Sequence, residues 1–142
     1  MPPPLLPALA AACLLLTAGC GGSGGAAAPS ASAAGAPCPP PAATGAALPL
    51  DLPLPPGGVV RTVAEQGRTS VSLIDVPGGA ADLVRVRDEV VQGLVDVGYR
   101  LVDTDQEPGF EAEAEVAGPY DGTLRVRPLC TGMLEVRYAV LR

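Results

Sequence analysis

The chain has 142 residues, 48% of them hydrophobic and only 3% aromatic, with nine Arg, no Lys, no His and fifteen carboxylates giving a formal charge of -6. That balance opposes general nucleic-acid binding, which needs a basic surface. The absence of His and Lys removes Ser-His-Asp and Cys-His arrangements, Schiff-base chemistry, Ser-Lys dyads and His-ligated metals.

Leu5 to Ala18 is an uncharged apolar run. As a helix it would measure roughly 21 Å at ~1.5 Å per residue, too short for a ~30 Å hydrocarbon core and suited to the apolar region of a signal peptide. Thr17, Ala18, Gly19 and Cys20 close it. These residues resemble the signal of a bacterial lipoprotein, in which small or apolar residues precede a cysteine that receives a diacylglyceryl group. The resemblance covers the first twenty residues only. It implies removal of residues 1–19, lipidation of Cys20 and attachment to membrane lipid at the extracytoplasmic face of the cell membrane. Two acyl chains on one cysteine meet the requirement for stable anchoring without a span.

From Gly21 to Ala47 almost every residue is Gly, Ala, Pro or Ser, with no charge and no aromatic. Such a segment buries too little apolar surface to offset its ordering entropy. With Cys20 it is expected to form a lipidated, disordered tether over 20–47, reaching about 25 to 30 Å if it scales as a flexible coil. Cys13 would leave with the signal and Cys20 would be acylated. In an oxidising compartment Cys38 and Cys130 are then the pair left to form a disulfide.

Residues 48–142 form one small domain, and every charged side chain lies within it. Two strands are expected over Val59 to Val63 and Thr69 to Val76, with Ser70 and Ser72 as ordinary strand residues. Leu83, Val86, Val90, Leu94 and Val97 then recur at helical spacing, predicting a helix from Ala81 to Val97 whose apolar face Val84, Val91 and Val95 widen. Gly98 is placed to cap it, with Tyr99 packing back on the last turn. Gly93 inside the helix implies close approach of another backbone there or a weak helix.

After the helix the period becomes two. Strands are expected over Tyr99 to Thr104, Phe110 to Val116, Thr123 to Arg127 and Leu134 to Leu141. The fold class is α+β: one helix packed on an antiparallel sheet in the order β-β-α-β-β-β-β, a two-layer sandwich. Phe110, Ala112, Ala114 and Val116 are expected on the covered face. Glu111, Glu113, Glu115, Arg125, Arg127, Glu135 and Arg137 are expected on the opposite face, the broad surface left for a partner. Placing Val116 opposite Leu124 sets Glu115 against Arg125 and Glu113 against Arg127, and Val126 opposite Val136 sets Arg127 beside Glu135. Exposed ion pairs contribute little, so charge reversal of Arg125 and Arg127 is expected to leave the fold intact.

Asp103, Asp105 and Glu107 form the one carboxylate cluster above background, expected in an acidic hairpin loop. Hard oxygens at alternate positions suit Ca²⁺. The calcium-loop pattern fails, with Pro108 where Gly is needed and Ala114 where Glu is needed. The reading reached is a lipid-anchored extracytoplasmic binding or structural module of the bacterial cell envelope, not an enzyme, without cofactor or catalytic set and with an envelope protein or polymer as partner. The alternative is a calcium-binding or carboxylate-based enzymatic module centred on Asp103, Asp105 and Glu107.

Overall fold

The computed structural model describes residues 37–39 and 44–142. The signal segment, Cys20 and the remainder of the expected tether lie outside the described residues. A short 3-10 turn at Pro49–Asp51 leads into β1 (Val59–Gln66) and β2 (Thr69–Pro77). A second 3-10 turn, Ala80–Asp82, opens helix α1 (Leu83–Asp96). Then come β3 (Arg100–Glu107), β4 (Glu111–Ala117), β5 (Asp121–Cys130) and β6 (Met133–Leu141). All pairings are antiparallel, in one open six-stranded sheet ordered β1-β2-β6-β5-β4-β3. α1 carries the chain from β2 to the far edge, and the meander β3 to β6 returns to pair β6 with β2.

α1 ends where the sequence places a left-handed cap. Gly98 has φ +96°, Tyr99 N–H donates to Leu94 O at 3.0 Å and Gly98 N–H to Val95 O at 3.0 Å. These are the two bonds of a Schellman cap. They turn buried Tyr99 back on the helix and leave Val97, expected on the apolar face, exposed. Leu83, Val86, Val90, Val91 and Leu94 are buried, whereas Val84 and Val95 stay open to solvent. Beneath α1 lie Ala112, Ala114, Val116, Leu124 and Val126, whose small side chains on β4 let the helix sit close.

α1 packs on β3, β4 and β5. The other half of the apolar face is covered by the entry segment: Leu52 is buried, and Leu48 and Leu50 pack against the core. Pro53 fills the seam between the two covers. A Cβ added at Gly93 would meet Pro53 Cβ at 3.3 Å, and Tyr138 OH donates to Pro53 O at 2.8 Å. Close approach of Pro53 therefore accounts for glycine in mid-helix. Burial holds the Tyr138 hydroxyl far above the ordinary phenol range, so it remains a donor.

Two corrections concern the meander. Phe110 is not on the covered face but 73% exposed, because its N–H closes the β3–β4 turn on Glu107 O at 2.9 Å. The register of β4 on β5 lies two residues from the one expected: Val116 pairs with Gly122, Ala114 with Leu124 and Glu113 with Arg125. A two-residue slip keeps every side chain on its face, so alternation alone does not exclude it. On the β5–β6 side, Val126 pairs with Val136 and Arg127 with Glu135 as the sequence suggests.

Pieces of the expected tether are docked. Pro37 forms a parallel bridge with Thr131, and Thr44 Oγ1 donates to Val60 O at 3.0 Å. Cys38 and Cys130 are joined with their Cα atoms 5.3 Å apart across a sequence separation of 92. Closing so long a loop restricts the unfolded chain by about 4 to 5 kcal/mol in the chain-entropy model. Denaturant unfolding with and without reductant should differ by up to that amount, and Cys130→Ser should match the reduced protein; identical transitions would contradict the bridge.

Candidate functional site

Side chains opposite α1 fall into cross-strand rows. One row runs Asp75, Glu135, Arg127 across β2, β6 and β5. The next runs Leu73, Arg137, Arg125, Glu113, Asp105 from β2 to β3. A third runs Val71, Ala139, Thr123, Glu115, Asp103. Polar residues at alternate positions in four consecutive strands produce this face, because the intervening positions are taken by the core.

The first row is a closed ion cluster. Between Val60 and Thr62 the β1–β2 register shifts, and Arg61 is the extra residue. A bulge of this kind re-aims its side chain. Arg61 Nε lies 3.2 Å from Asp75 Oδ1, its Nη2 contacts Glu135 Oε2, and Arg127 Nε donates to Glu135 Oε1 at 2.7 Å. The Asp75 and Glu135 side chains are only 7% and 3% exposed. The Arg61–Asp75 contact is within ion-pair distance but not aligned as a hydrogen bond. Burial therefore prevails over the Arg61 charge and raises the Asp75 carboxyl above its ordinary 3.8, with Glu135 pushing the same way.

Thus two members of the expected partner face have structural duties. Glu135 is buried between guanidinium groups, and Arg127 rests on it. Reversing Arg127 would set a third carboxylate beside two buried ones, so the double reversal expected to spare the fold would damage it. Asp75 and Arg61 complete the cluster from β2 and β1. The alternation of Asp75 with Ile74 and Val76 is the one signal that its side chain points to the charged face.

The remaining members are accessible. Arg125 Nε contacts Glu113 Oε1 and lies 3.6 Å from Glu111 Oε2. Arg137 sits directly opposite Arg125 and makes no ion pair among the described residues. Glu115 is exposed opposite Thr123. Glu113, Glu115, Arg125 and Arg137, together with Asp103 and Asp105, border an open hollow of about 230 Å³. Carboxylates line one side and two guanidinium groups the other, which suits contact with a polar, charged partner surface.

Asp103, Asp105 and Glu107 are not in a loop but on strand β3, paired with Glu115, Glu113 and Glu111. Alternate residues of a strand stand about 6.6 Å apart at 3.3 Å per residue, so the three carboxylates do not converge on one ion whose ligands sit ~2.4 Å away. Among the described residues no group of three or more His, Cys, Asp or Glu side chains is arranged to hold a metal ion. Ser70 Oγ donates to Glu65 Oε1 at 3.0 Å, and both Ser70 and Ser72 are buried in strand β2. Compared with known proteins, the chain matches no family model, and neither a curated protein nor a solved structure is significantly similar to it.

The two kinds of charge on this face predict opposite behaviour. Arg61→Met leaves buried Asp75 without a cationic partner and Glu135 with Arg127 alone, and should lower the unfolding free energy by about 3 to 5 kcal/mol, whereas Arg125→Met at an exposed pair should change it by less than about 1 kcal/mol. Equal effects in urea titrations would contradict the division. For Asp75 the folded protein binds a proton more readily than the unfolded chain, so its contribution to stability falls as pH rises through and above 3.8. Asp75→Asn should therefore gain on the wild type as pH rises through that window; an unchanged difference across pH would count against a desolvated Asp75.

Proposed function

We propose that this chain is a lipid-anchored extracytoplasmic binding module of the bacterial cell envelope, and that it meets its partner through the charged face of the sheet. The observation that carries the reading is the asymmetry of that sheet. One face is sealed by α1 and the entry segment, while Arg125, Arg137, Glu113 and Glu115 on the other are accessible around an open hollow. We read the arrangement as a two-layer α+β sandwich.

The anchor is inferred from Thr17, Ala18, Gly19 and Cys20, and a Cys38–Cys130 bridge suits an oxidising compartment. Among the described residues no helix is long and apolar enough to cross a membrane. The partner face is smaller than alternation suggests: Glu135 is buried and Arg127, though exposed, is tied to it, which leaves Glu111, Glu113, Glu115, Arg125 and Arg137 as the members free of the buried cluster. Rim charges of this kind govern encounter and specificity more than raw affinity.

Intact-mass measurement of the membrane-fraction protein should give a chain starting at an acylated Cys20, and Cys20→Ala should accumulate as precursor. Retention of Met1 would overturn the anchor. Arg125→Gln with Arg137→Gln removes both charges without placing new carboxylates beside Glu111 and Glu113, and should shift the melting temperature by less than about 8 °C while abolishing the crosslinked species of the wild type in intact cells. Unchanged crosslinking by that folded variant would reduce the face to a solvated surface.

A further inference from the structure

β3 is an edge strand, and all eight of its residues are exposed. An exposed edge offers unpaired N–H and C=O groups to any strand that meets it. In β3 two of those donors are already held. Thr104 N–H donates to Asp103 Oδ1 at 2.8 Å and Gln106 N–H to Asp105 Oδ1 at 2.8 Å. Residues two apart point their backbone groups to the same side of a strand, so the two carboxylates cover adjacent docking positions along one edge.

The same carboxylates belong to a like-charge ladder. Asp103 faces Glu115, Asp105 faces Glu113 and Glu107 faces Glu111 across the hairpin. Like charges directly opposite destabilise a strand pair. Arg125 reaches Glu113 and Glu111, while Asp103, Asp105, Glu107 and Glu115 have no cationic partner among the described residues. A second copy of β3 would bring another acidic row, and a neutral strand would offer nothing to draw the aspartates from the amides. At its other end β3 exposes Leu101 and Val102, and Val84 of α1 shares a groove of about 260 Å³ with Gln106 and Glu107.

We propose that β3 is a selective docking edge, which accepts as a seventh strand an extended protein segment with Arg or Lys at alternate positions and apolar residues between them. The inference rests on the binding reading for the existence of a partner and names that partner's chemistry. The incoming cations pair with Asp103, Asp105 and Glu107. As the aspartates turn to them, Thr104 and Gln106 N–H are released to donate to the incoming carbonyls. The intervening apolar side chains lie on the α1 side, against Val84 and Leu101.

The test uses the full chain in neutral detergent and fluorescent peptides of about nine residues, enough to span β3 at ~3.3 Å per residue. One peptide alternates Arg and Val, one has the same composition with the Arg residues contiguous, and one alternates Glu and Val. The alternating Arg peptide should bind at least about tenfold more tightly than the contiguous one, and the Glu peptide should not bind. Binding should slow hydrogen exchange over residues 100–107. Asp103→Asn with Asp105→Asn should weaken binding at least about tenfold without altering the melting curve. Should that variant fail to fold, Asp103→Asn alone is expected to weaken binding about threefold. Equal affinity for the two Arg peptides, protection confined to other strands, or unchanged affinity in the Asn variants would overturn the proposal. Unchanged crosslinking by the Arg125→Gln, Arg137→Gln variant with success here would separate this edge from the face beside it.

Discussion

One helix cannot cover six strands, and the rest of the architecture follows from that shortfall. A helix is about 10 Å wide, whereas six strands spaced about 4.8 Å apart span roughly 24 Å. α1 closes the apolar face over β3, β4 and β5. The remainder must be closed by the entry segment, which has no regular structure beyond a 3-10 turn. An irregular cover needs pins, and the described ones are the Tyr138–Pro53 hydrogen bond, the contact of Pro53 with Gly93, the Thr44–Val60 bond and the Cys38–Cys130 bridge. The chain thus uses all of its apolar cover on one side.

The opposite face is consequently left to charge, and burial divides it in two. Near β1, β2 and β6 the carboxylates of Asp75 and Glu135 are buried beneath the guanidinium groups of Arg61 and Arg127, where removing one partner is costly. Toward β3, β4 and β5 the same residue types are solvated and contribute little to folding. Accessible charge that the fold does not require thus lies around a hollow and beside an acidic edge.

Much of this was legible in the sequence, and the omissions have physical causes. The helical spacing of Leu83, Val86, Val90 and Leu94, and Gly98 followed by an aromatic, identify α1 and its cap because each feature is local. Cross-strand pairing is not local. The alternation of Glu113, Glu115, Arg125 and Arg127 is satisfied equally by two registers that differ by two residues, so the expected Glu113–Arg127 pair gives way to Glu113–Arg125. Asp103, Asp105 and Glu107 resembled a loop because acidic residues are depleted in strands. On an edge they are at home, since charge there deters unwanted pairing. The burial of Glu135 and Asp75 depends on a bulge at Arg61, which leaves no mark in the sequence.

The sheet face left uncovered by the helix is proposed as the one that meets a partner. Site-specific photo-crosslinking of the full chain in intact cells tests it most directly, with the photoreactive residue placed either at Glu115, on the charged face, or at Gln92, on the solvent side of α1. Discrete adducts are expected from position 115 and none from position 92. Adducts from position 92 alone would contradict it.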